Sequence, residues 1–142
     1  MSRHKDEKLD LLRTVPLFAR LDEAELEEIG RHADEVEVPA GTTIVTQNAT
    51  GNSFYVIVEG LADVMRDDQQ LAVLGPGDFL GEMALLEDLP RSATVTTTAP
   101  SRLLEMHRRD FSAVLDAAPH LARKMLSVMA HRLRDADEKL VT

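Results

Sequence analysis

The residues able to do chemistry concentrate in one stretch, Gly77-Asp78-Phe79-Leu80-Gly81-Glu82-Met83-Ala84-Leu85-Leu86-Glu87-Asp88-Leu89-Pro90-Arg91-Ser92-Ala93-Thr94-Val95. Gly81 lets a ligand or a neighbouring backbone approach closely. Residues 82–86 are good helix formers, and the first N–H groups of a helix there would seat an anion. Arg91 follows Pro90, which stiffens its approach, and a guanidinium fork matches two phosphate oxygens. Glu82 suits an anion site only if it accepts hydrogen bonds from a hydroxyl, such as a sugar supplies. The chemistry is that of holding an anionic, hydroxylated ligand of nucleotide size. The plain alternative is a glycine turn, an incidental helix and a surface arginine.

Elsewhere the chemical content is thin. There is no Cys, which removes disulfides, thiolate metal sites and cysteine catalysis together. The five histidines, at 4, 32, 107, 120 and 131, form no ligand cluster in the sequence, and only His107 falls on a strand pattern. A cupin-type metalloenzyme, the enzyme alternative for a small β-barrel, would want His and Glu ligands converging from strands. Ser92 has no His beside it in the sequence to activate it. No metal, no cofactor and no catalytic residue is therefore expected. Sixteen Lys+Arg against 25 Asp+Glu give a net charge of −9, which opposes nucleic acid as a partner. A small anion needs only one or two well-placed cations. No apolar run approaches the roughly 20 residues of a membrane span, and the start lacks a secretory signal. A cytoplasmic protein is expected.

A chain of 142 residues has the size of one domain, and three zones should position that stretch. Residues 1–34 are helical: Leu9, Leu11 and Leu12 predict a short helix that Pro16 ends, and Asp22 with Glu25 forms a capping box for a helix running to about His32. Residues 35–107 carry short β-branched runs at 36–38, 42–46, 54–58, 62–66, 71–74, 93–97 and 102–107. Turn residues separate them, among them Pro39-Ala40-Gly41, Asn48, Gly60, Asp67-Asp68 and Gly75-Pro76-Gly77. This spacing predicts an antiparallel, jelly-roll-like β-roll. Residues 108–142 return to helical period. Phe111, Val114 and Leu115 give a short hinge helix, and Leu121, Met125, Met129, Leu133, Ala136 and Leu140 form one face of a long helix. That helix has the length for a lid, a seam for a homodimer, or both.

Gly81-Glu82-x-Ala84-Leu85-Leu86 followed by Pro90-Arg91-Ser92-Ala93-Thr94-Val95 resembles the phosphate-binding cassette of cyclic nucleotide-binding domains, here spanning 79–95. That family includes catabolite activator proteins, protein kinase A regulatory subunits and cyclic-nucleotide-gated channels. The resemblance extends to Val15-Pro16-Leu17-Phe18, Pro39-Ala40-Gly41, Tyr55-Val56-Ile57-x-x-Gly60 and Gly77-Asp78-Phe79, nearly the whole chain. It implies that Arg91 pairs with the cyclic phosphate, assisted by Gly81, by N–H groups near Met83, Ala84 and Ala93, and by the Ser92 hydroxyl. Glu82 would accept the ribose 2′-OH. Val64, Leu71, Leu74 and Leu80 would form the apolar wall beside the base.

On the long helix, Arg132 matches a position that reaches the Glu82 carboxylate in the activators. The Thr-Ser pair that contacts adenine there corresponds to Ala136 and Asp137. Neither supplies the same hydroxyls, and Asp137 could accept from adenine or from guanine. The Arg-Ser-Ala run favours cAMP over cGMP. In the activators a DNA-reading helix-turn-helix follows the long helix; these 142 residues end with it. The resemblance thus implies a single ligand-binding domain over 1–142 that is no enzyme and answers a cyclic nucleotide by a change of conformation passed to an unknown effector. The alternative within the same fold is a ligand-independent dimerisation module.

Overall fold

The computed structural model describes residues 2–81 and 90–141, with side chains described for 7–81 and 90–131. Helix α1 (Ser2–Arg13) leads through a 3-10 turn (Pro16–Phe18) to α2 (Glu23–His32). Pro16 ends the first helical run because its ring cannot continue one. At the start of α2 the Asp22 side chain accepts from the Glu25 N–H at 2.8 Å, and Glu25 Oε1 accepts from the Asp22 N–H at 3.2 Å. This reciprocal cap is the one the Asp-x-x-Glu spacing predicts.

Among the described residues, eight strands follow: β1 (Asp34–Val38), β2 (Thr43–Val45), β3 (Ser53–Glu59), β4 (Ala62–Arg66), β5 (Gln69–Leu74), β6 (Phe79–Leu80), β7 (Thr94–Thr97) and β8 (Ser101–His107). They form two four-stranded antiparallel sheets, ordered β1-β8-β3-β6 and β2-β7-β4-β5. This is the jelly-roll-like architecture with flanking helices that the strand spacing predicts. Seven of the strands lie on the expected runs. The eighth, β6, pairs Leu80 with Tyr55 and Phe79 with Val56; two residues are too few to show a period. Asp67 and Asp68 both take positive φ, 51° and 66°, as the two-residue turn between β4 and β5 requires. Asn48, at φ 69°, takes the left-handed turn that its short polar side chain tolerates.

Strand β3, inside the first sheet, is buried on both faces. Phe54, Val56 and Val58 of β3 face the helices and join a core with Leu12, Phe18, Ile29, Phe111 and Leu121. Tyr55 and Ile57 face into the roll, where Val45, Ala62, Leu80, Val95 and Leu103 form a second, smaller core. At the outer edge of the first sheet, β1 carries the exposed acids Asp34, Glu35 and Glu37.

Two helices close the described chain: α3 (Arg108–Ala117) and α4 (Pro119–Val141). Phe111 and Val114 of α3, and Leu121 and Met125 of α4, are buried. The 23 residues of α4 span about 34 Å at the usual rise.

Candidate functional site

The site begins with the backbone of Gly81. Its φ of 94° lies in the left-handed region, and a Cβ there would sit 2.6 Å from Arg91 Nη1 and 2.7 Å from the Ser53 carbonyl oxygen. No side chain fits that gap, so only glycine lets the two strands bring the guanidinium this close. Arg91 is 7% exposed. Its Nη2 donates to the Ser53 carbonyl at 2.7 Å and its Nη1 to the Gly81 carbonyl at 3.1 Å. The main chain at the same residue is pinned as well: Arg91 N–H donates to the Ala49 carbonyl at 2.9 Å, and Asn48 N–H to the Arg91 carbonyl at 2.8 Å. The loop between β2 and β3 thus fixes the root of the side chain, while β3 and Gly81 fix its head.

A cavity of about 270 Å³ lies against this group, lined by Ile44, Val45, Thr46, Ala49, Thr50, Asn52, Ser53, Tyr55 and Arg91. Within the roll, the Tyr55 hydroxyl donates to Glu105 Oε2 at 2.8 Å. Burial pushes the Tyr55 phenol above its ordinary value, and the Glu105 carboxylate beside it adds to the rise. The Ser53 hydroxyl meets His107 Nδ1 at 3.1 Å.

The other sequence-predicted residues divide as follows. Ser92 is exposed, and its carbonyl accepts from Arg66 Nε at 2.9 Å; Ala93 is buried. Leu80 belongs to the inner core, with Val64 and Leu74 packed against it. Leu71 is 44% exposed, at the register shift where Val64 pairs with Ala72 and Met65 with Gln70. Glu82, Met83 and Ala84 lie outside the described residues, and Arg132, Ala136 and Asp137 sit on α4 with their side chains outside them.

The structure also assembles groups the sequence did not announce. Three rings run from the cassette strand to the hinge helix: Phe79 to Phe54 at 5.8 Å between centroids, then Phe54 stacked on Phe111 at 4.5 Å. Ser53 serves through its carbonyl, which leaves no trace in residue type. Among the described residues, Asp22, Glu25 and His120 bring oxygen and nitrogen donors within 4.8 Å of one another. Cap hydrogen bonds engage these groups.

The family profile described as the cyclic nucleotide-binding domain matches residues 35–118, the whole roll and the hinge helix. The chain belongs to the cyclic nucleotide-binding domain family. Within it, this domain is 39% identical over 112 residues to a cyclic nucleotide-gated potassium channel of Mesorhizobium japonicum, covering 79% of this chain and 31% of the channel. It is 32% identical over 130 residues to the cyclic AMP receptor protein of Thermus thermophilus, covering 88% of this chain and 60% of that protein. The crystal structure of the Thermus thermophilus catabolite activator protein superposes with a TM-score of 0.80 at 32% identity, covering 88% of this chain and 61% of that one. The cyclic nucleotide-binding domain thus spans between about a third and three fifths of these curated relatives. Among its described residues, no helix is long and apolar enough to cross a membrane.

Proposed function

We propose that this chain is a cytoplasmic receptor for a purine cyclic nucleotide, taking cAMP in preference to cGMP, with residues 1–142 acting as one ligand-binding unit. The observation that carries the reading is Arg91, buried and aimed by the carbonyls of Ser53 and Gly81. A guanidinium held this way meets two phosphate oxygens without first losing conformational freedom. In this reading Arg91 takes the cyclic phosphate, aided by Gly81, Met83, Ala84, Ser92 and Ala93. Glu82 takes the ribose hydroxyl. Val64, Leu71, Leu74 and Leu80 wall the base, and Arg132, Ala136 and Asp137 approach it from α4 as that helix closes as a lid.

The aromatic contacts Phe79–Phe54–Phe111 support a route from cassette to hinge: phosphate capture moves the segment after β6, and α3 repacks through Phe111. Ligand drives such a change only by binding one arrangement better than the other. A nearly complete shift takes about 5.5 kcal/mol of differential affinity. Leu126, 66% exposed on α4, leaves the same helix an apolar position for a second copy, which light scattering would read.

Calorimetric titration with cAMP, cGMP and a linear 5′-monophosphate tests the proposal. Both cyclic nucleotides should bind more tightly than the linear one, cAMP most tightly. Absence of binding by either cyclic nucleotide overturns the receptor reading. Replacement of Glu82 should weaken ribose ligands while sparing a 2′-deoxy cyclic analogue, and replacement of Asp137 should change the adenine-to-guanine ratio.

A further inference from the structure

Glu25 is the one buried carboxylate among the described residues, 5% exposed, and it lines neither the Arg91 cavity nor the apolar wall. It holds the first turns of two helices at once. Its Oε1 accepts from the Asp22 N–H at the start of α2 and meets His120 Nδ1 at 2.8 Å; its Oε2 accepts from the His120 N–H at 3.2 Å. His120 is the second residue of α4, and Ala118, before Pro119, has no side-chain oxygen with which to cap that helix. Helix α4 therefore takes its cap from α2, across 95 residues of sequence. The positive ends of both helix dipoles meet on this one negative charge. A second link, His32 Nδ1 to Asp110 Oδ1 at 2.9 Å, ties the first turn of α3 to the last turn of α2.

We infer that Glu25 is the pivot of the C-terminal helix: α4 swings about its first turn, which Glu25 holds to α2, and does not lift away as a whole. The swing rests on the receptor reading above; the anchoring does not. The chain has no Cys, so pairs of introduced cysteines carrying nitroxide labels report distances without background. One pair, Glu23→Cys with Lys124→Cys, lies beside the pivot. The other, Glu23→Cys with Ala130→Cys, lies about 9 Å further along α4.

With cAMP, the far distance should shift and the near one stay in place. In Glu25→Ala the near distribution should broaden, with and without nucleotide, and Glu25→Gln, which keeps the shape but not the charge, should broaden it less. His120→Ala serves as the second variant if Glu25→Ala does not fold. A near distance that shifts as far as the far one overturns the pivot. So does a near distribution as narrow in the Glu25 or His120 variants as in the parent chain. If the parent binds no nucleotide, the receptor reading fails alone, and the breadth of the near distribution still decides the anchor.

Discussion

Arg91 and Gly81 form a pair in which each explains the other. The arginine can reach the Ser53 carbonyl only across a residue without a Cβ. Replacing Arg91 with Ala should cost roughly 2–5 kcal/mol of cyclic nucleotide affinity, the usual loss when one partner of a desolvated charge pair is removed, and calorimetry reads it directly. Arg91→Lys keeps the charge but not the fork, and should recover only part of the loss. Gly81→Ala meets both a left-handed backbone and the guanidinium. It should cost about 1–3 kcal/mol of fold stability in urea unfolding, with a further loss of affinity as Arg91 is pushed aside. The types of these two residues and their spacing were legible in the sequence. The acceptors that aim the arginine were not, because a backbone carbonyl belongs to every residue alike.

Between elements, Phe111 of α3 stacks on Phe54 of β3, with Phe79 of β6 behind it. Phe111→Ala should cost about 3–5 kcal/mol of stability by cavity formation. It should also weaken the dependence of α4 position on nucleotide in the same label experiment. The join between α2 and α4 should respond to acid. Burial pushes the Glu25 carboxyl up, but hydrogen bonds from the His120 side chain and the Asp22 and His120 N–H groups outweigh it and hold it below its ordinary 4.5. A folded-state value below the unfolded one means that this carboxylate stabilises the fold fully above pH 4.5, and less as pH falls through the lowered value. Glu25→Gln should therefore cost about 1–3 kcal/mol near neutral pH. The gap from the parent chain should close in acid, as urea unfolding across pH would show. The capping box at Asp22 and Glu25 was legible because two residues three positions apart encode it. The partner that takes the same carboxylate on its other side lies 95 residues away, and nothing local marks it.

For the whole molecule, the first sheet is a partition with a core on each side. The amides of Val56 and Ile57, central in β3 and buried from both faces, should be among the slowest to exchange with solvent deuterium. The strands themselves were legible from turn residues and β-branched runs. Their sorting into two sheets was not, since β1 pairs with β8 across most of the roll, a choice that tertiary packing makes. The outer edge of that partition has a consequence of its own. Among the described residues no strand pairs with the outer side of β1, and the exposed Asp34, Glu35 and Glu37 leave net negative charge beside it even with Arg102 paired to Glu37 at 3.2 Å. Two copies brought together there repel before their backbones can hydrogen-bond. With Glu35→Val and Glu37→Val that charge is gone, and the edge should self-associate more readily, which light scattering over time would show.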